Sequence, residues 1–138
     1  MISGWGMPEL KPIEEKPEKT KFLQKDLPIL SSVPLKEKII FTKNLQVMLR
    51  TGLSLAQALN TLAEQTNHKY FRKILKKIQV NVEQGKSFTS SLKKYPRIFN
   101  EIYTSMVESG ELSGNLEEVL NYLQTQMKKD YELIAKVR

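Results

Sequence analysis

Several reactive residue types are scarce in this sequence of 138 residues. It contains no cysteine, which excludes a disulfide framework, a thiolate nucleophile and a zinc site built on cysteine. No segment approaches the roughly 18 consecutive apolar residues that span a bilayer, and the N-terminus has no basic stretch followed by an apolar one. The sequence therefore predicts a soluble domain suited to a reducing compartment such as the cytoplasm.

Groups for catalysis and cofactor binding are equally sparse. His68 is the only histidine and has no histidine or cysteine partner at ligand spacing, so we expect a surface or helix-capping residue. The serines fall at predicted helix starts or on polar faces, without a base placed to activate them. No glycine-rich phosphate-binding loop is present. We predict no enzyme activity, no catalytic residue, no metal site and no cofactor.

Positive charge is concentrated in one part of the chain. The formal net charge is +7, yet five lysines are balanced by five acidic residues in residues 1–34. The densest block is KYFRKILKK, residues 69–77, with five cations and no acid. Such a block fits a solvated helix face, a nucleic acid, an anionic membrane surface or an acidic protein, and charge alone does not separate them. We select Lys73, Lys76 and Lys77 as candidate partner-binding residues.

The N-terminal segment has the composition of an unfolded chain. Five of the six prolines fall within residues 1–34, among lysines and glutamates with few apolar residues. Such a segment cannot offset the entropy of ordering by burying apolar surface. We predict a flexible arm over residues 1–34 and one folded domain over residues 35–138.

Apolar residues recur at helical spacing in six stretches after Pro34, and the alternating pattern typical of strands is absent. The first stretch ends at Gly52, where a C-terminal glycine cap is expected. The residues predicted to begin the next four helices are Ser54, in a capping box with Gln57, then Asn67, Ser87 and Asn100. The predicted fold class is all-α, with six helices.

The segment GELSG, residues 110–114, separates the fifth and sixth helices. We expect Gly110 to end the fifth helix in a left-handed conformation. The glycines at the two ends of the turn, Gly110 and Gly114, are both expected to let the helix backbones approach as the chain reverses. Ser113 belongs to the same turn, and Asn115 is expected to begin the sixth helix.

Two glutamates near this turn are further candidates for partner binding. As a charged residue in a turn between helices, Glu111 is expected to be exposed, so its substitution should change stability by no more than about 0.5 kcal/mol. One interpretation is that Glu111, with Glu108, presents negative charge to a partner subunit or to a second copy of the domain. The alternative is that Glu111 only favours solubility or supports the following helix.

Two stretches, FTKNLQVMLRTGLSLAQAL (residues 41–59) and YPRIFNEIYTSMVESGELSGNLEEVLNYL (residues 95–123), carry motifs in a specific order. These motifs are a small-glycine-apolar turn around Gly52, a Pro-x-x-Phe at Pro96, and the Gly-Glu-x-Ser-Gly segment already described. They resemble the type II secretion F family, the inner-membrane platform proteins of type IV pilus and type II secretion machines. The resemblance covers about residues 36–138.

The resemblance implies a six-helix bundle of antiparallel helices at the cytoplasmic face of the bacterial inner membrane. Family members carry two related helical domains separated by membrane helices, and this chain resembles the first domain without those helices. The implied role is a non-enzymatic scaffold that couples a cytoplasmic assembly ATPase to pilin or pseudopilin movement. Implied partners are that ATPase, inner-membrane assembly proteins, pilin or pseudopilin, other copies of the domain, and the membrane through the missing flanking helices.

A small basic nucleic-acid-binding domain of the helix-turn-helix type is the alternative prediction, because such domains are also helical and free of cysteine. Against it, the basic block lacks the asparagine, glutamine and arginine side chains that read base edges, since Arg72 stands alone among lysines. We therefore expect no specific nucleic-acid binding.

Overall fold

The structure is a computed structural model that describes residues 32–137. This part of the chain contains six α-helices and no strand, which confirms the predicted fold class. The helices are α1 (Leu35–Arg50), α2 (Leu55–Gln65), α3 (Lys69–Glu83), α4 (Phe88–Leu92), α5 (Glu101–Ser113) and α6 (Leu116–Val137). The predicted arm, residues 1–34, lies outside the described residues except for its last part, in which Val33 is buried in the core.

Three of the predicted helix starts are confirmed by side-chain caps. At α2, Ser54 and Gln57 form a reciprocal capping box, with N···O distances of 3.2 and 3.0 Å. The side chains of Ser87 and Asn100 cap α4 and α5 in the same way, each accepting from the backbone N–H three residues ahead. Local sequence therefore specifies where these helices begin.

The predicted cap of α3 is wrong by one residue. The helix begins after His68, whose Nδ1 accepts a hydrogen bond from the N–H of Phe71 at 3.2 Å, so Asn67 lies outside it. The expectation that His68 is a capping residue is confirmed. Its imidazole contributes a side-chain acceptor for a backbone N–H at the helix start.

The helices pack in chain order, and the last returns to the first. Each helix contacts its successor, and α6 packs extensively along α1. Near the C-terminal end of α1, Gln46 donates a hydrogen bond to the carboxylate of Glu117, and Arg50 lies 3.6 Å from the same carboxylate. Because Glu117 lies in the first turn of α6, the two helices run antiparallel. This contact closes the bundle.

The core is built around three phenylalanines from distant parts of the chain. Phe41 of α1, Phe71 of α3 and Phe99, which precedes α5, have ring centroids 5.5 to 6.3 Å apart. All three are at most 2% exposed. Aromatic rings at such spacing contribute favourable edge and tilted contacts beyond the surface they bury. The cluster therefore joins the first half of the chain to the second.

A polar pair lies beside this cluster. The hydroxyl groups of Thr42 and Tyr103 are 2.8 Å apart and buried, and the Thr42 hydroxyl also donates to the carbonyl of Lys38 at 2.7 Å. Since the single Thr42 hydrogen is used there, the Tyr103 hydroxyl donates to Thr42. Burial raises the pKa of Tyr103. The phenol therefore stays neutral and satisfied within the core.

The turn between α5 and α6 differs from the prediction at Gly110. The helix α5 continues through this residue to Ser113, and Gly114 is the left-handed residue, with a φ of 76°. The N–H of Asn115 donates to the carbonyl of Gly110 at 3.0 Å, and the carbonyl of Asn115 accepts from the N–H of Val119 at 3.2 Å. The predicted left-handed cap at Gly110 is therefore wrong, because Gly114 takes that conformation. Gly52 was assigned correctly, since it has a positive φ after α1.

Gly110 is instead the point of closest approach between α5 and α6. It is buried, and a Cβ atom added there would lie 3.0 Å from the Cα of Leu116 and 3.0 Å from Cγ2 of Val119. One of these atoms belongs to the backbone, so the clash cannot be relieved by a side-chain rotation alone. The absence of a side chain is what lets the two helices meet after the turn.

The helix α6 extends past the rest of the bundle. It has 22 residues whereas α1 has 16, so α1 cannot cover its full length. Residues 128–136 are all exposed, including the large apolar side chains of Tyr131 and Ile134. The apolar pattern continues after its packing partner has ended.

We predict that Gly110→Ala lowers the free energy of unfolding by about 1–3 kcal/mol, because the new methyl group forces the backbones of α5 and α6 apart. Gly114→Ala should cost about 1 kcal/mol, from left-handed strain alone, since nothing lies within 4 Å of its Cβ position. Urea unfolding followed by circular dichroism measures both. The control is Ser109→Ala, which introduces the same residue, alanine, at an exposed position of the same helix. A Gly110→Ala variant as stable as this control would contradict the close-approach role.

Candidate functional site

The segment around Glu111 was predicted to be a surface for partners, and the structure gives it a different role. The Glu111 carboxylate reaches the N-terminus of α4, where Oε2 accepts from the N–H of Phe88 at 2.7 Å. Its Oε1 accepts from both the N–H and the hydroxyl of Thr89, at 2.9 and 2.6 Å. The expectation that Glu111 is freely exposed is therefore wrong. Its side chain is partly buried and both of its oxygens are occupied.

This carboxylate completes the start of a very short helix. The first backbone N–H groups of any helix lack partners within it. In α4 those of Phe88 and Thr89 are bound by Glu111, and that of Ser90 is bound by the Ser87 hydroxyl at 3.0 Å. The negative charge also lies at the positive end of the helix. We call this set of contacts the Glu111 clamp. Sequence reasoning missed it because the residues lie more than 20 positions apart.

The other predicted acidic residue, Glu108, remains at the surface. Its carboxylate lies 3.7 Å from Nζ of Lys93, and both side chains are about half exposed. Exposed pairs of this kind contribute little to stability. Glu108 therefore stays a candidate for partner binding, but it does not form a common acidic patch with Glu111.

The acidic side chains near the turn are held apart. Glu111 binds α4, Glu117 binds Gln46 of α1, and Glu108 faces Lys93. Within residues 32–137, no three acidic or histidine side chains come together as metal ligands would. In the same part of the chain, none of the helices is long and apolar enough to cross a membrane.

The predicted basic residues lie on the outer face of α3. Lys73, Lys76 and Lys77 are all exposed. The apolar residues of the helix that are buried against the core are Phe71, Ile74, Leu75 and Ile78. Among the described residues, no carboxylate lies within salt-bridge distance of the three lysines. Their charges are directed to solvent.

This basic face continues beyond α3. Residues 69–97 contain a single acid, Glu83, whereas residues 98–138 have an excess of acids over cations. The helix α3 packs against α2 and α4, while α6 packs against α1 and α5. The two charge groups meet where Lys93 of the first lies 3.7 Å from Glu108 of the second. The cations of the first group are Lys69, Arg72, Lys73, Lys76, Lys77, Lys86, Lys93, Lys94 and Arg97.

A groove on this basic side was not predicted from the sequence. It is lined by Lys76, Lys77, Val80, Asn81, Lys94 and Tyr95 and has a volume of about 380 Å³. One wall is the second half of α3, and the other is the segment after α4. The signal available in the sequence was the second Lys-Lys pair at residues 93–94, but only the fold brings it beside the first pair.

Comparison with known families gives a match over residues 41–138. The family model described as Type II secretion system (T2SS), protein F matches residues 41–138, from the first turns of α1 to the end of the chain. This chain belongs to that family. The motifs singled out in the sequence, including the GELSG segment, all lie within the matched residues.

Individual relatives of the protein F family are similar at moderate identity. The chain is 41% identical over 113 residues to the type IV pilus assembly protein PilC of Thermus thermophilus, covering 81% of this chain and 28% of that protein. For PilC of Myxococcus xanthus the identity is 36% over 112 residues, covering 81% and 27%. For the type II secretion system protein F of Aeromonas hydrophila it is 36% over 87 residues, covering 63% and 22%. The chain thus spans roughly a quarter of the length of these relatives.

We predict that Glu111→Ala lowers the free energy of unfolding by about 2 kcal/mol or more, because two backbone N–H groups and a hydroxyl lose a charged acceptor. Glu111→Lys should be more destabilising, since it places a cation at the positive end of α4. The matched control is Glu108→Gln, on the exposed side of the same helix, which should change stability by no more than about 0.5 kcal/mol. Urea unfolding measures all three. Equal stability of Glu111→Ala and the control would mean that the clamp does not hold α4.

Proposed function

We propose that this chain is a non-enzymatic scaffold domain of an inner-membrane platform protein that assembles a type IV pilus or a type II secretion apparatus. The observation that carries the proposal is the family match over residues 41–138, which takes in five complete helices and most of α1. The relatives named as type IV pilus assembly and type II secretion proteins support both systems equally.

In this role the domain couples a cytoplasmic assembly ATPase to the movement of pilin or pseudopilin. A scaffold transmits displacement only if its parts do not slide past one another. The contact of α1 with α6, the close approach at Gly110 and the Glu111 clamp support such rigidity, because each fixes one helix against another. The domain itself needs no ATP site for this function.

The proposed partners follow from the same role. They are the assembly ATPase, the inner-membrane assembly proteins, pilin or pseudopilin, and further copies of the platform protein. Because the chain spans roughly a quarter of its relatives, the helices that cross the membrane belong to the remainder of such a protein. We place the domain at the cytoplasmic face of the inner membrane, with Glu108 and the lysines of α3 as candidate contact residues.

We predict that residues 33–138 can replace the matching segment of PilC from Thermus thermophilus and restore pilus assembly. The expected result is a chimera that accumulates and produces pili, scored by electron microscopy. The control chimera carries Gly110→Val, which should disrupt the packing of α5 on α6 and abolish pili. A chimera that accumulates normally but assembles no pili would contradict the scaffold role.

The basic face of α3 also allows a test of the nucleic-acid alternative. We predict that the chain hydrolyses no ATP and binds duplex DNA weakly and without sequence preference, with an affinity that falls steeply between about 50 and 200 mM salt. Fluorescence anisotropy with two duplexes of unrelated sequence measures this, and phosphate release measures ATP hydrolysis. Strong preference for one duplex at the higher salt concentration would favour a nucleic-acid-binding function instead.

A further inference from the structure

The groove between α3 and the segment after α4 has rigid walls. On the α3 side, Ile74 and Ile78 are buried in the core, which fixes the orientation of the exposed lysines on the opposite face. On the other side, the carbonyl of Tyr95 accepts hydrogen bonds from the N–H groups of Ile98 and Phe99, at 3.0 and 2.9 Å. Both of these residues are buried as well. The groove is therefore formed before any partner binds.

The groove is lined by both charged and apolar side chains. Lys76, Lys77 and Lys94 are exposed at its edge, so three ammonium groups surround the opening. Between them lie Val80, which is 44% exposed, and the partly buried ring of Tyr95. The groove thus offers positive charge around an apolar floor.

Two polar groups on the floor can receive a peptide. Burial, and secondarily the neighbouring Tyr70, raise the pKa of Tyr95, so its phenol keeps its proton and can donate. The side-chain amide of Asn81 makes no hydrogen bond to another residue of the described part of the chain. It is free to bind a peptide backbone, which requires both a donor and an acceptor.

We propose that this groove binds an acidic segment of a partner protein in which one aromatic or aliphatic side chain lies between carboxylates. The inference rests on the proposed function, because the segment would belong to one of the assembly partners. Lysine supplies point charges suited to single carboxylates. The phosphates of a duplex would leave Val80 and Tyr95 without an apolar contact.

The test uses the whole 138-residue chain, labelled with ¹⁵N, and a synthetic acidic peptide with one central tryptophan. We expect the amide signals of residues 76–81 and 94–95 to shift on titration at physiological salt. A peptide with serine in place of the tryptophan should bind at least about tenfold more weakly, because the apolar floor then gains no contact. Equal binding of the two peptides would overturn the proposal, since charge alone would account for it.

Matched variants separate the groove from the general charge of the domain. Lys77→Glu/Lys94→Glu should weaken peptide binding by at least about tenfold. The control Lys36→Glu/Lys43→Glu makes the same charge change at exposed positions of α1 and should have a much smaller effect. Val80→Ser should weaken binding, whereas Val47→Ser, at a residue exposed to a similar extent (42% against 44%), should not. If each control weakens binding as much as its partner, the groove is not the site.

Two further probes test the competing ligand classes. Vesicles containing phosphatidylglycerol and a duplex DNA are titrated against the same labelled chain. If either shifts the groove signals more strongly than the tryptophan peptide, the proposal is wrong and the face belongs to that ligand. The PilC chimera distinguishes this outcome from failure of the scaffold role. If the chimera assembles pili but the groove variants bind the peptide normally, the proposed peptide site is wrong and the scaffold role stands.

Discussion

The Glu111 clamp is the interaction on which the arrangement of the second half of the bundle depends. The helix α4 has five residues, far fewer than the roughly 12 that an isolated helix needs to be even marginally stable. It forms because a carboxylate from α5 binds its first N–H groups and because Phe88 and Leu92 are fully buried. Since α4 carries the chain from α3 to α5, the clamp also determines where Lys94 and Tyr95 lie relative to α3.

The clamp and the close approach at Gly110 come from adjacent residues of one helix. Gly110 faces α6 and Glu111 faces α4, so a single stretch of α5 positions a neighbour on each side. This gives the GELSG segment a structural meaning: its first glycine allows contact with one helix and its glutamate binds another. Changes in this segment would therefore alter both sides of the bundle together.

Local features were predictable from the sequence, and contacts across the chain were not. Ser54, Ser87 and Asn100 were identified as caps because a cap acts within three residues. Gly110 was misassigned because a glycine near a helix end fits both a left-handed cap and a close approach of two helices. The sequence does not show that Val119, across the turn, packs against Gly110. Glu111 was taken for a surface charge because its partners, Phe88 and Thr89, lie in another helix. The groove residues were missed for the same reason.

Residues 69–97 hold nine cations and one acid, so the part of the domain that carries α3 is more positive than the rest of it. A body with such uneven charge turns in an external field before it touches the source of that field. Near an acidic partner it would approach with α3 leading, and the groove would face the partner on most encounters. This orientation operates over about the Debye length, roughly 8 Å at physiological salt, so it acts in the last step of the approach. The charge pattern would thus orient the domain in the first encounter with a partner. The contacts in the groove would determine how long each encounter complex lasts.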